Sequence, residues 1–215
     1  MGDWYELRWY AHMNFRHIYV MELEVHVVSD SVTVQFSNNG GKDSEDIDFH
    51  TEELNIKEHL VVMSCGSTLE PETVDTKSVA VCMASSDIRS PVTVTREEDN
   101  KVFTYLTALY TSLDSEAEVE VEDTRTQTVQ EFTTALLMTP ALLRRLHVRS
   151  WARLWESGVE VVSSREDSAV AVAVAVNASW FAILSSVRED WAYGLAPGGL
   201  TNYYNGHSFW DTEVC

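Results

Sequence analysis

Apolar and polar residues alternate along the first third of the chain, and the alternation predicts three consecutive antiparallel strands. Leu7, Trp9, Ala11, Met13 and Phe15 alternate with Arg8, Tyr10, His12 and Asn14. After a turn near Arg16 and His17, Met21, Leu23, Val25 and Val27 alternate with Glu22, Glu24 and His26, and Val32, Val34 and Phe36 then alternate with Thr33 and Gln35. A period of two is the strand signal, and Ser37-Asn38-Asn39-Gly40-Gly41 supplies the residues that tolerate tight turns. A meander with one apolar face can carry a covering layer on that face.

Further along, Ile47, Leu54, Ile56, Leu60, Val61 and Met63 fall at loosely helical spacing and predict a short helix over 44–64, ended by Gly66 and Pro71. Strands are expected again over 78–84, 92–96 and 102–109. Glu116, Glu118, Glu120 and Glu122 alternate with Ala117, Val119 and Val121, the pattern of an edge strand whose charges discourage aggregation. The longest helical signal covers 128–157, with Phe132, Leu136, Leu137, Leu143, Leu146, Trp151, Leu154 and Trp155 as its apolar stripe. Pro140 should kink or break it near Met138-Thr139. From Val159 the pattern predicts strands once more: the Ala-Val repeat of Ala169 to Val176 puts four valines at period two, and 181–187 and 200–214 follow.

Composition narrows the function. A formal charge of −19 with only 15 Lys and Arg excludes nucleic-acid binding and an anionic membrane surface as expected roles. It is consistent with a solvated surface or with steering of a basic partner. There is no uninterrupted run of 18 apolar residues, and Met1-Gly2-Asp3-Trp4 lacks the features of a secretion signal, which suggests a mature chain or ectodomain. Cys65, Cys82 and Cys215 leave two possibilities open, one disulfide with a leftover thiol or three thiols. Asn177-Ala178-Ser179 is a glycosylation sequon, with Asn177 as the acceptor.

Catalytic signatures do not stand out. The seven histidines are scattered without metal-ligand spacing, and there is no phosphate loop, dinucleotide fingerprint or nucleophile elbow. The carboxylate repeat lacks the glycine-bearing loop of a calcium site. The expectation is therefore a non-enzymatic protein without metal or cofactor.

The order strands, short helix, strands, long kinked helix and small β unit resembles an MHC class I heavy chain. Leu7-Arg8-Trp9-Tyr10 resembles the opening of the first class I strand, residues 25–37 resemble the second and third strands, and Ala80-Val81-Cys82 resembles the Cys-bearing strand that opens the second half of the platform. The ending Phe36-Ser37-Asn38-Asn39 is similar to that of the MHC class I-like immunoevasin glycoproteins of murine cytomegalovirus. Ser164-Arg165-Glu166-Asp167 resembles the entry to an Ig-like domain. Gly2-Asp3-Trp4 also resembles the Gly-x-Trp opening of the lipocalins, whose barrel would carry a small hydrophobic ligand.

The viral resemblance implies an α+β fold: an MHC class I-like platform over 1–157, an antiparallel sheet with two helical segments on one face, and a partial Ig-like β-sandwich over 158–215. It implies a viral glycoprotein of immune and natural killer cell evasion that binds host stress-induced class I-related ligands of the retinoic acid early inducible type, or MHC class I itself. It further implies no bound peptide, no beta-2 microglobulin, and a place in the secretory pathway or at the cell surface as the ectodomain of a membrane glycoprotein. Cys65 and Cys82 would flank the junction of the two platform halves and form a disulfide. Helix faces bearing Glu52, Glu53, Arg144, Arg145 and Arg149 would be the partner contacts.

Overall fold

The computed structural model describes residues 2–37, 44–71, 74, 76–98, 100–115, 120–156, 158–161 and 167–187. The chain divides into two compact units, Met1–Val148 and Arg149–Cys215. The first unit is built on a six-stranded antiparallel sheet made from β1 (Trp4–Ala11), β2 (Ile18–His26), β4 (Ile47–Ile56), β5 (His59–Thr68), β6 (Ala80–Ser86) and β8 (Lys101–Thr111), in the order β1-β2-β8-β6-β5-β4. β3 (Ser31–Val34) and β7 (Val92–Thr95) form a separate two-stranded sheet.

Alternation sorts the side chains of the large sheet into two faces. The first face carries Ile18 and Val20 of β2, Val61, Met63 and Cys65 of β5, Cys82 and Ala84 of β6, and Leu106 and Ala108 of β8. These make the main core with Phe132, Ala135 and Leu143 from α1 (Val121–Leu136) and α2 (Pro140–Trp155). At one end of the opposite face, Leu23, Val25 and Val27 pack with Val94, Val32, Val34 and Phe103 under the β3–β7 pair. β2 is thus apolar on both faces for two different reasons, a helix above and a small sheet below. Elsewhere on that second face Tyr5, Trp9, Tyr19, Met83 and Leu109 are exposed.

Local chemistry explains several boundaries. β4 and β5 form a hairpin whose two turn residues, Lys57 and Glu58, both have positive φ (51° and 68°), the conformation that matches a two-residue turn to strand twist. Gly66 lies opposite Phe49, and a Cβ there would sit 2.2 Å from the Asp48 carbonyl oxygen, so only glycine allows β4 to approach. α1 starts where the Asp123 carboxylate accepts the Glu120 backbone N–H at 3.2 Å. Pro140 then opens α2 at a position where its missing N–H costs nothing, and the Thr139 carbonyl accepts Leu143 N–H at 3.0 Å.

The MHC class I-like α+β fold expected from the sequence is not what these residues form. The stretch 44–64, expected as a platform helix, is strand through most of its length, because the Lys57-Glu58 turn splits it into a hairpin. Its apolar residues alternate as strand partners. Of the expected edge strand over 114–123, residues 116–119 lie outside the described residues, Asp114 closes a short helical turn and residues 121–123 belong to α1, which begins at Val121. The Ig-like sandwich is also overturned: Ala169 to Val176 lies inside α3 (Asp167–Ser186), a 20-residue helix. The described residues form a β-rich fold with helices packed on it, without a two-helix platform. A closed lipocalin barrel is likewise absent among them, since β1 and β4 are open edges of the sheet. The expected strand over 200–214 lies outside the described residues.

In the second unit, Trp151 of α2 lies 5.1 Å, ring to ring, from Phe181 of α3, and Trp155 is 6.4 Å from Trp151. Ala169–Ser186 is long and apolar enough to cross a membrane by length and composition alone, none of it being buried.

Candidate functional site

Among the described residues, a dense group of polar side chains lies where β1, β2 and the first half of α2 meet. On the helix-bearing face, Arg8 stands opposite Glu22 and Tyr10 opposite Val20. Arg8 donates two hydrogen bonds to Glu24 Oε2, one of them at 2.8 Å, and the Tyr10 hydroxyl donates to Glu22 Oε1 at 3.3 Å. Glu22 is only 2% exposed. Burial, and then the negative charge of Glu22, push the Tyr10 hydroxyl well above the ordinary tyrosine range.

Two histidines close this corner. His12, 2% exposed, donates from Nε2 to the Leu143 carbonyl at 2.9 Å, while its Nδ1 accepts the backbone N–H groups of Asn14 and Phe15, each at 3.0 Å. His147 Nδ1 accepts the Met13 N–H at 3.1 Å, and its ring lies 4.4 Å from Tyr10 and 5.7 Å from His12. Burial lowers the proton affinity of both imidazoles, and His12 adds to the effect on His147.

A second cluster joins the β1–β2 turn to α1. His17 Nε2 lies 3.4 Å from Asp114 and its Nδ1 3.9 Å from Glu131. Burial raises the Asp114 carboxyl, but the hydrogen bonds from His17 and from the Thr111 hydroxyl and N–H outweigh it and bring the group down to about 2. At the start of α1, an open hollow of about 710 Å³ is lined by Ser67, Lys77, Ser78, Ala80, Glu120, Val121 and Glu122.

Acid–base chemistry on a substrate needs carboxyl groups that a ligand can reach. Glu22 and Glu24 share a strand face, but Glu22 is covered and Glu24 is neutralised by Arg8. Their arrangement ties β2 to β1. No group of three or more potential metal ligands occurs among the described residues.

The residues singled out in the sequence do not converge. Cys65 and Cys82 are cross-strand neighbours on β5 and β6 and are bonded, with Cα atoms 4.2 Å apart. Glu52 lies on β4, not on a helix, and faces α1, where Arg125 donates to it at 2.8 and 3.1 Å. Its neighbour Glu53 projects from the opposite face of that strand. Arg144 and Arg145 are exposed on α2 within the first unit, and Arg149 is exposed on the part of α2 that belongs to the second. Asn177 is exposed within α3. The corner of Tyr10, Glu22, His12 and His147 was missed because a tyrosine or histidine in alternation reads as solvated. The signal available was Arg8 and Tyr10 sharing a strand face with Glu22 across the hairpin.

A family model described as an uncharacterized conserved protein (DUF2152) matches residues 6–192. The chain belongs to this family. It is 32% identical over 216 residues to the protein-glucosylgalactosylhydroxylysine glucosidase of Dictyostelium discoideum, covering 95% of this chain and 28% of that protein. Against the mouse (Mus musculus) protein of the same name it is 25% identical, covering 96% and 29%. A kojibiose hydrolase of Mucilaginibacter mallensis is 33% identical over 73 residues, 34% of this chain and 10% of that protein. The chain thus spans less than a third of the length of the relatives it matches.

These similarities overturn the functional expectations. Near-full-length matches to proteins named glucosidases replace the resemblance to viral MHC class I-like immunoevasins, and with it immune evasion, the class I-related partners and the non-enzymatic reading. The lipocalin-type carrier falls with them. The earlier resemblance rested on short strand motifs that any antiparallel meander can carry, whereas the present matches run along nearly the whole chain.

Proposed function

We propose that the chain is a β-rich scaffold segment of a glycoside hydrolase that releases glucose from a glucosyl-galactosyl unit on hydroxylysine. The observation that carries this reading is the alignment of 95–96% of the chain with glucosidases of that name from Dictyostelium discoideum and mouse. Glycosidases use two carboxyl groups flanking the scissile bond, one as acid and one as base or nucleophile. Glu22 and Glu24, which share a strand face, are covered and paired with Arg8 respectively. The scaffold role rests on the chain's spanning only 28–29% of those glucosidases, with the reacting carboxyls supplied by the remainder of such a protein. The Cys65–Cys82 bond supports placement in the secretory pathway, where disulfides persist.

The test is a segment exchange. This chain replaces the matching segment of the Dictyostelium discoideum glucosidase, and glucose release from glucosylgalactosylhydroxylysine is measured, with kojibiose as a second substrate. Glucose release by the exchanged protein, and none by the 215-residue chain alone, is the expected result. A folded exchange protein that leaves both substrates intact would overturn the glucosidase reading, and turnover by the isolated chain would overturn the scaffold role.

A further inference from the structure

We propose that His12 and His147 form an acid-operated latch that holds the first half of α2 on the β1–β2 turn and releases it when both rings are protonated. The inference goes beyond the glucosidase reading and does not depend on it. Three consecutive backbone N–H groups of the turn, those of Met13, Asn14 and Phe15, have imidazole nitrogens as acceptors: His147 Nδ1 at 3.1 Å for the first, His12 Nδ1 at 3.0 Å for the other two. An N–H can donate only to an unprotonated ring nitrogen, so Nδ1 of each histidine is bare in this state. For His12 the remaining nitrogen is also fixed. Its Nε2 lies 2.9 Å from the Leu143 carbonyl, which can only accept, so the ring is the neutral Nε2–H tautomer with every polar atom used.

Protonation at Nδ1 therefore cannot be absorbed locally. It sets one N–H against two others at His12 and against one at His147, and three donors of the half-buried turn lose their acceptors together. The surroundings give the new charge no partner. From β1 come Tyr10 and Arg8, from β2 Glu22, which already accepts the Tyr10 hydroxyl, and from α2 Arg144, while His17 of the turn faces Asp114 after β8 and Glu131 of α1. Among the described residues, neither His12 nor His147 is hydrogen-bonded to a carboxylate. The two rings lie 5.7 Å apart, so a charge on either opposes a charge on the other while the latch is shut. Once one gives way, water reaches its partner and the ordinary histidine value of 6.5 applies. Opening thus takes up two protons below that pH. The hairpin itself survives, because His12 N–H to the Ile18 carbonyl and Ile18 N–H to the Phe15 carbonyl involve no titrating group.

The experiment is amide hydrogen exchange on the whole 215-residue chain between pH 7.5 and 4.5, corrected for intrinsic rates, with ring-nitrogen shifts of both histidines followed by NMR. The expected result is loss of protection at Met13, Asn14 and Phe15 as pH falls below 6.5, while Val20 and Leu106 in the sheet stay protected. Below the transition the opening constant rises about 100-fold per pH unit for two protons, and about tenfold in His147→Gln, which keeps one. His147→Gln also serves where a His12 variant fails to fold. Unchanged protection at 13–15 down to pH 4.5 would overturn the latch. So would simultaneous loss of protection at Val20 and Leu106, which would make the histidines part of global stability only.

Discussion

Phe132→Ala tests whether α1 is held on the sheet as described. The ring is fully buried, 0% exposed, in the cluster with Val20, Met63, Ala84, Leu106 and Ala108, and Thr128 and Ala135 on the same helix face are equally covered. Withdrawing a phenylalanine side chain from an apolar site forgoes about 2–3 kcal/mol of burial. The strands beneath cannot close on the gap without breaking ladder hydrogen bonds, so a residual void of about 80 Å³, at about 24 cal/mol per Å³, adds about 2 kcal/mol. The expected loss is about 4 kcal/mol, a large share of the roughly 5–15 kcal/mol that stabilises a domain. Leu137→Ala is the control: five residues along at the end of the same helix, it is 69% exposed and should change stability by less than about 0.5 kcal/mol. Urea unfolding followed by circular dichroism and tryptophan fluorescence gives both values, the slope with denaturant showing that the same surface is exposed in each. Equal effects at the two positions, or a loss below about 1 kcal/mol at Phe132, would refute the packing of α1.

Three further outcomes are expected. Gly66→Ala places a Cβ 2.2 Å from the Asp48 carbonyl and forces β4 away from β5, costing about 3 kcal/mol in the same titration; an unchanged midpoint would mean that the strands do not approach so closely. Thiol counting in denaturant without reductant should find one reactive cysteine and three after reduction, and breaking the Cys65–Cys82 link, 17 residues apart in sequence, should cost about 3 kcal/mol. Asp114 has its carboxyl depressed from 3.8 to about 2, so its stabilising effect is complete above pH 3.8 and is lost as pH falls through 2. The wild type should lose on the order of 1–2 kcal/mol across that window and Asp114→Ala should not, as measured by thermal unfolding at each pH.

The parts of the fold legible in the sequence are those where a single physical signal acts alone. β1, β2 and β3 are strands where alternation predicts them, but β1 ends at Ala11 rather than Phe15 and β3 pairs with β7 in a separate sheet instead of completing a meander; the break between α1 and α2 follows from Pro140, which no neighbouring contact can compensate within a helix. The β4–β5 hairpin was illegible because its turn is Lys57-Glu58, two residues with no intrinsic preference for positive φ. That conformation is imposed by the pairing of β4 with β5, which β6 holds in the sheet. The start of α1 was hidden for a related reason: Thr124 and Thr128 are fully buried yet polar in sequence. Their hydroxyls are satisfied by the Glu120 and Thr124 carbonyls one turn back, at 3.0 and 2.8 Å, so they pack as if apolar.

The polar corner of Tyr10, His12, Glu22 and His147 was lost by the same mechanism that hid α1. Tyr10 and His12 look like the solvated side of an amphipathic strand, and only the arrival of α2, 131 residues after His12, turns that side inward. Polarity in a sequence marks exposure only where no later element returns to cover it. α3 carries the complementary lesson about period. Four valines alternating with four alanines satisfy the strand pattern, but the run continues through Asn177, Ala178, Ser179, Trp180 and onward to Ser186 without a glycine or proline, and with Asp167 and Ser168 before it makes 20 residues in all. Strands in globular proteins seldom exceed about 10 residues, whereas helices of that length are ordinary. Alanine, every second residue of the repeat, is the best helix former and offsets the modest cost of the valines. Length and the absence of a turn were the stronger signals, and they identify the helix without any tertiary contact.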